Sequence, residues 1–144
     1  VSSQVQCVVD YYGPTEFLSM NDFESKINHD AADSPESLLV GGAIHEKQDI
    51  VRSASPLSYV SENDPPFLVV HGTADPLVSI DQSDQLVATL ENSGCDVTYI
   101  KIENGGHGGF ASDELLQRVS AFFDLHLHGA DIKVPDGTLP QGNR

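Results

Sequence analysis

Residues 67–76 read Phe-Leu-Val-Val-His-Gly-Thr-Ala-Asp-Pro, an apolar run that ends at a turn containing Gly72 and Pro76. A short apolar run bounded in this way is typical of a β-strand buried on both faces of a parallel sheet. Residues 97–102 alternate and are rich in β-branched side chains, which predicts a second strand. The segment between them has helical periodicity, so the three elements predict a strand–helix–strand unit with parallel strands.

The same organisation extends in both directions from this unit. Residues 5–9 form another continuous apolar run and predict a third strand, which stops before a Gly-Pro turn. Ser79 and Gln82 stand at the spacing of a capping box and are expected to begin the helix of the central unit. A last helix is expected to begin after Ser112 and to end at Gly129.

Composition narrows the class of protein. The chain has 144 residues, about the size of one domain, and 39% of them are apolar, enough for a core. Its 7 basic and 22 acidic residues give a net charge of −15, which argues against a nucleic-acid partner or an anionic membrane. The longest apolar runs are too short to cross a bilayer. Two cysteines cannot form a disulfide framework or a four-thiolate zinc site, so the compartment stays open.

Two segments lack a regular pattern. Residues 15–60 contain short helical pieces, one capped by Ser34 and ended by Gly41-Gly42, and we interpret them as a lid-like insertion or pocket wall. Residues 130–144 are rich in Pro and Gly and are expected to form a polar tail.

The strand at residues 5–9 would leave an apolar edge unpaired, which native proteins avoid. We therefore expect residues 1–144 to be part of one larger domain.

Asp75 and His107 are the strongest candidates for chemistry. Each follows a predicted strand, and they stand 32 residues apart, about one strand–helix–strand unit. Ligands of open α/β sheets bind at the carboxyl ends of the strands, so adjacent strands would bring the two side chains together. A carboxylate beside an imidazole fixes its tautomer and stabilises the imidazolium, as in a nucleophilic triad. The glycines around His107 let its loop present the ring into a cleft.

Other ionisable residues have alternative interpretations. Asp10 follows the first predicted strand and is an alternative acid, although its turn also gives it a structural role. His71 is expected to form hydrogen bonds within its own turn. A loose acidic cluster in the insertion is expected to be a solvated face rather than a calcium site, since no EF-hand spacing is present. Its members are Glu24, Asp30, Asp33 and Glu36.

The motifs together resemble a known family. Residues 71–78 and 105–108 look like the acid and histidine loops of α/β-hydrolases, and residues 9–15 resemble the end of the preceding strand in that fold. Residues 34–42 and 54–60 resemble its lid-like insertion. The branch they resemble most is the bacterial esterase/lipase group that includes feruloyl and acetylxylan esterases. The resemblance extends to about residue 127.

The resemblance implies a fold and a set of roles. The chain would be the C-terminal portion of a parallel-sheet α/β-hydrolase, with its last three strands, the lid-like insertion and the final helices. Asp75 would be the acid of a Ser-Asp-His triad and His107 its general base. Leu77 and Val78 would line the acyl or alcohol pocket. No cofactor and no metal are implied, and the partner would be a small-molecule ester, including one linked to a plant polysaccharide.

The sequence also departs from the family pattern. Neither a Gly-x-Ser-x-Gly elbow nor a His-Gly-Gly-Gly oxyanion loop occurs in it. The nucleophile is therefore expected upstream of Val1, and this chain alone is expected to be inactive. Its own N-terminal half, or a second copy, is an expected partner.

Four alternatives stay open from the sequence. A serine peptidase of the prolyl-oligopeptidase type has similar acid and histidine loops, and a thiol hydrolase resembling dienelactone hydrolase would also carry its nucleophile upstream. A degenerate hydrolase that only binds a partner would explain the missing elbow. A flavodoxin-like domain would need five parallel strands, whereas only three are predicted.

Overall fold

Four parallel strands form a single sheet in the computed structural model, which describes residues 2–142. They are β1 Val8–Tyr11, β2 Phe67–Gly72, β3 Val97–Glu103 and β4 Gly137–Pro140, in the order β1-β2-β3-β4. Each neighbouring pair is parallel, so the predicted parallel-sheet α/β class is confirmed. The strands predicted from the sequence correspond to β1, β2 and β3.

Four α-helices accompany the sheet: α1 Pro35–Val40, α2 Gln48–Ala54, α3 Asp81–Asn92 and α4 Asp113–His128. Short 3₁₀ helices occupy Phe17–Asp22, Ile44–Glu46 and Pro56–Tyr59. As predicted, Ser112 caps α4, because its Oγ accepts a hydrogen bond from the Leu115 N–H at 3.2 Å, and Gly129 ends the helix at φ 67°. Within residues 2–142, no helix has both the length and the apolar composition that crossing a membrane requires.

Strand β2 lies at the centre of the core, as its apolar run predicts. Leu68 and Val70 face one side of the sheet and pack in a cluster with Phe122 of α4, whereas Val69 faces the other side and packs with Leu90 of α3. All three strand residues are completely buried. Helices therefore cover both faces of this strand, and the period-two alternation places successive side chains in different layers.

The first strand begins later than predicted. Residues 5–9 were expected to form it, but β1 spans Val8–Tyr11 and Val5 is half exposed outside it. The pairing with β2 explains the shift. Val8 pairs with Phe67, the first residue of β2, and Tyr11 pairs with Val70, so residues 5–7 lie before the start of the strand with which β1 pairs. The apolar run of the sequence thus overlaps the strand without defining its ends.

The segment predicted as a polar tail contains a strand. In β4, Gly137 to Pro140 pair with Ile100 to Glu103 of β3, and Leu139 is buried in the same cluster as Phe122. Glycine and proline suggested a tail, but both are tolerated in an edge strand because one side of its backbone has no partner to bond. Residues 143–144 of the predicted tail, like residue 1, lie outside the described residues.

Residues 15–60 form a folded layer with its own small core. Phe17, Met20, Ile44 and Val51 pack together with Val78 of the loop after β2. Helix α1 begins as predicted, because the Ser34 Oγ accepts a hydrogen bond from the backbone N–H three residues on, and Gly41 ends it in the left-handed region. The predicted lid-like insertion is therefore anchored directly on the loop that carries Asp75.

Helix α3 begins without the predicted capping box. Its N-cap is Ile80, and no side chain caps it. The Gln82 Oε1 instead accepts hydrogen bonds from the backbone N–H groups of Thr15 and Glu16, at 2.9 and 2.8 Å. Those two N–H groups begin the insertion and would be left unpaired inside the protein if Gln82 folded back onto its own helix.

Gly72→Ala is expected to lower the free energy of unfolding by about 2–4 kcal/mol. A Cβ at position 72 would lie 2.3 Å from the Gly105 carbonyl oxygen and 2.5 Å from that of Gly106, so it would push the loops after β2 and β3 apart. Urea denaturation of the chain measures the loss. Gly106→Ala is the matched control, because its Cβ would meet nothing within 4 Å. Equal denaturation midpoints for the two variants would contradict this account.

Candidate active site

The loops after β2 and β3 are joined along their backbones. The Thr73 N–H donates to the Ile102 carbonyl and the Ala74 N–H to the Gly105 carbonyl, both at 2.9 Å. The Asn104 N–H donates to the Thr73 Oγ1 at 2.9 Å. These bonds extend the contact between the two strands beyond the sheet. They bring the side chains that follow each strand to one edge of the molecule.

Asp75 and His107 meet at this edge, as their spacing predicts. The His107 Nδ1 lies 2.8 Å from the Asp75 Oδ2, with the carboxylate buried and the imidazole one-third exposed. Because a carboxylate oxygen accepts, Nδ1 carries the proton of this hydrogen bond, and the lone pair of the neutral ring is then on Nε2. The geometry is that of a base oriented by an acid, with the basic nitrogen directed away from the acid.

The other oxygen of Asp75 is held by the backbone of its own loop. The Leu77 and Val78 N–H groups donate to Oδ1 at 2.9 and 3.1 Å. Both residues were predicted to line a substrate pocket. The Val78 side chain lies instead in the core of the insertion, since the apolar cluster there surrounds it, whereas the Leu77 side chain is half-buried and its pocket role stays a prediction.

His71 forms a second contact with Asp75. It is completely buried, its Nδ1 accepts a hydrogen bond from the Ser83 hydroxyl at 2.7 Å, and its Nε2 donates to the Val78 carbonyl at 3.0 Å. The same Nε2 lies 3.3 Å from the Asp75 Oδ2. Burial lowers the pKa of His71, because desolvation disfavours the imidazolium. His71 is thus neutral, with its proton on Nε2. Its contact with Asp75 comes in addition to the hydrogen bonds that the sequence predicted within its own turn.

Asp10, the alternative acid, is not the partner of His107 within the described residues. Its Oδ2 is buried without a hydrogen-bond partner there, and burial raises its pKa despite the opposing effects of His71 and the Gly13 N–H. The structure brings Asp75 to His107, whereas Asp10 lies within β1, where it pairs with Val69 of β2.

Tyr12 is a site residue that the sequence analysis missed. Its ring centroid lies 4.4 Å from that of His107, and its backbone adopts φ 46°, which is unusual for a non-glycine residue. Gly108 makes room for it, since a Cβ there would lie 2.8 Å from the Tyr12 hydroxyl. Only its position in the sequence could have indicated this role. Tyr12 directly follows β1, so it lies at the same edge of the sheet as Asp75 and His107.

A cavity of about 470 Å³ opens between the insertion and the Asp75 loop. The residues that line it include Phe23, Thr73, Ser79, Ile80 and Asp81 together with Asp75, whereas His107 is not among them.

Within residues 2–142, no group of three or more His, Cys, Asp or Glu side chains could hold a metal ion. In the predicted acidic cluster, Glu36 is buried against His29 and is not part of a solvated face.

An acid–histidine pair on loops after adjacent parallel strands, with a helical insertion before them, defines the C-terminal portion of an α/β-hydrolase. Comparison with known proteins agrees. The chain belongs to the BD-FAE family, whose model matches residues 1–90. This confirms the resemblance inferred from the sequence.

Curated relatives and solved structures place the chain among esterase-like hydrolases. Esterase LipC of Mycobacterium tuberculosis is 32% identical over 110 residues, covering 74% of this chain and 26% of that protein, and Esterase LipQ of the same organism is 29% identical over 104 residues, covering 72% and 24%. A structure described as a truncated form of carbohydrate esterase from gut microbiota has a TM-score of 0.77 at 32% identity, covering 86% of this chain and 43% of its own. The chain thus spans about a quarter of the length of these curated relatives.

Proposed function

We propose that this chain supplies the acid and the general base of a serine carboxylester hydrolase. The observation that carries the proposal is the 2.8 Å hydrogen bond between His107 and the buried Asp75, at the edge of a parallel sheet. Membership of the BD-FAE family and similarity to two esterases support an ester substrate. No cofactor takes part in this proposed reaction.

The proposed reaction follows from the tautomer of His107. A serine hydroxyl attacks the ester carbonyl while the His107 Nε2 takes its proton, and Asp75 stabilises the imidazolium that forms. The imidazolium then gives this proton to the departing alcohol, which leaves an acyl-serine. In the second half of the reaction His107 takes a proton from water, the resulting hydroxide attacks the acyl carbonyl, and the serine leaves with that proton.

The serine itself lies outside these 144 residues in this proposal. The sequence contains no Gly-x-Ser-x-Gly elbow, the strained turn that exposes the nucleophile in this fold. The oxyanion hole belongs to the same missing part. We therefore propose that residues 1–144 do not hydrolyse esters by themselves and act within a longer protein.

The alcohol portion of the ester is proposed from similarity alone, because His107 is not among the residues that line the cavity beside Asp75. Similarity to a carbohydrate esterase supports a sugar as this alcohol portion. We propose an ester linked to a carbohydrate, including a plant polysaccharide, as the substrate class.

A fluorophosphonate probe applied to the longer protein tests the proposal. We expect one adduct, on a serine outside residues 1–144, together with turnover of p-nitrophenyl butyrate. The matched control is the 144-residue chain alone, which is expected to show neither. An adduct on a serine of this chain would contradict the placement of the nucleophile, and inhibition by iodoacetamide in place of the fluorophosphonate would indicate a thiol hydrolase.

A peptidase is the second candidate, because two curated relatives are named as peptidases. Dipeptidyl peptidase family member 6 of Caenorhabditis elegans is 28% identical over 114 residues, covering 71% of this chain and 14% of that protein. Hydrolysis of a Gly-Pro anilide faster than of p-nitrophenyl butyrate would favour the peptidase. A longer protein that labels with neither reagent and hydrolyses neither substrate would instead be a binding module.

A further inference from the structure

Just after Asp75, the peptide unit that joins Pro76 to Leu77 and the one that joins Leu77 to Val78 are hydrogen-bonded on both of their sides. On the inner side, the Leu77 and Val78 N–H groups donate to the Asp75 Oδ1. On the outer side, the carbonyls of the same two planar units, those of Pro76 and Leu77, accept hydrogen bonds from the insertion. Because a peptide unit is planar and rigid, holding its carbonyl also fixes the direction of its N–H.

The insertion provides three donors to these carbonyls. The Lys26 N–H donates to the Pro76 carbonyl at 2.8 Å. The Ser25 hydroxyl donates to the Leu77 carbonyl at 2.8 Å, and the His29 Nε2 lies 3.1 Å from the same oxygen. A carbonyl can only accept, so the His29 Nε2 carries a proton. We name Ser25, Lys26 and His29 the acid-loop clamp.

His29 is itself fixed on every polar atom. It is 1% exposed, its Nδ1 lies 2.9 Å from the Glu36 Oε2, its N–H donates to the Asn21 Oδ1, and its carbonyl accepts from the Ser34 hydroxyl. One proton lies between Nδ1 and Oε2, whichever atom holds it, so the buried pair carries no net charge. A buried polar pair of this kind is tolerated only when all its hydrogen bonds are made. His29 therefore has one well-defined position.

We propose that the acid-loop clamp positions Asp75 for its hydrogen bond to His107, through the two peptide units after Asp75. Ser25, Lys26 and His29 are positioning residues in this proposal, which rests on the proposed function. The Asp75 carboxylate is oriented by the N–H groups at Oδ1, and those N–H groups are aimed by the clamp. A displacement of catalytic groups by about 1 Å is enough to lower a reaction rate by about 100-fold, so this support matters to the site.

The clamp also gives the insertion a role that a lid alone would not require. A lid needs only to cover a pocket, whereas residues 25–29 bond to the backbone of the loop that holds Asp75. The apolar contact of the insertion with Val78 adds to this attachment. Loss of a clamp bond is therefore expected to be measurable at His107, which the clamp does not touch.

The test uses the ¹⁵N-labelled longer protein and the NMR signal of the His107 Nδ1 proton. In the wild type we expect a low-field signal that Asp75→Asn abolishes. His29→Leu removes one clamp donor and leaves Glu36 unpaired, and it is expected to raise the exchange rate of this proton with water about tenfold or more. Ser25→Ala removes one donor at little risk to folding and is expected to raise it by a smaller factor.

Two control variants separate positioning from stability. Ser55→Ala removes a hydrogen bond inside the insertion, from the Phe17 N–H to the buried Ser55 Oγ, without removing a clamp bond, and it is expected to leave the His107 signal unchanged. Glu36→Gln is expected to keep the signal close to that of the wild type, because the glutamine amide can donate to the His29 Nδ1. Exchange of backbone amides in residues 15–60 measures the stability of the insertion in each variant.

The outcomes distinguish the clamp from the function on which it rests. Faster exchange in His29→Leu and Ser25→Ala, but not in Ser55→Ala, supports the clamp. Unchanged exchange in Ser25→Ala and His29→Leu overturns the clamp and leaves the Asp75–His107 pair intact. Exchange that is equally fast in Ser55→Ala and in Ser25→Ala also overturns the clamp. If His29→Leu does not fold, Ser25→Ala decides. A wild-type longer protein that is folded by circular dichroism but lacks an Asp75-dependent signal overturns both the clamp and the proposed function.

Discussion

Replacement of His107 by alanine, in the longer protein that provides the nucleophile, is expected to lower kcat for ester hydrolysis by about 10⁴- to 10⁶-fold. The variant keeps the fold, because the ring is partly exposed and its loop is held by backbone bonds to Thr73 and Ala74. It loses the only group proposed to take the serine proton. KM is expected to change little, since His107 is not proposed to bind the substrate before the reaction begins. Initial rates with p-nitrophenyl butyrate measure the effect.

His128→Ala is the matched control for this variant. His128 is exposed in the last turn of α4, where a histidine suits the helix dipole, and its removal is expected to change kcat less than about twofold. Reaction with a fluorophosphonate is expected to be slowed in His107→Ala and normal in His128→Ala. Turnover of His107→Ala within a few-fold of the wild type would contradict the proposed role of His107.

The positions of Asp75 and His107 could be predicted because they depend on a single local unit. Strand β2, helix α3 and strand β3 follow one another in the sequence, and each has a clear periodicity. Parallel strands end at the same edge of a sheet, so two polar loops 32 residues apart had to lie together. The hydrogen bond of 2.8 Å between them is consistent with that reasoning.

The contacts that surround this pair could not be predicted, because they join segments that are distant in the sequence. His29 reaches the Leu77 carbonyl across 48 residues, and Gln82 reaches the backbone of Thr15 across 67. Neither shows a periodicity, and the spacing of Gln82 from Ser79 suggested a local cap instead. Long-range polar contacts depend on which buried groups lack partners, and this is a property of the assembled fold.

The second large effect is expected from Asp75→Asn, which should lower kcat by about 10⁴-fold in the longer protein. The amide carbonyl of the new side chain can still accept from the Leu77 and Val78 N–H groups, which leaves the amide NH₂ group facing His107 and the nearby His71 Nε2–H. Two donors then meet at His71. His107 has to accept at Nδ1, so its proton moves to Nε2 and the ring is no longer a base toward the serine. The opposite orientation of the amide would lose both backbone bonds.

Kinetics of the purified longer protein, with circular dichroism to verify folding, measure this effect. Asp113→Asn is the matched control, because Asp113 is an exposed carboxylate in the first turn of α4, and it is expected to retain wild-type turnover. If Asp75→Asn retains turnover within tenfold of the wild type, Asp75 is not the acid. Asp10 would then be the candidate acid, because one oxygen of its buried carboxyl has no partner among the described residues. In that case Asp10→Asn would have to lower kcat by the amount expected here for Asp75→Asn. Because Asp10 belongs to β1 and Asp75 to the loop after the neighbouring strand β2, this comparison tests which of the two strands provides the acid.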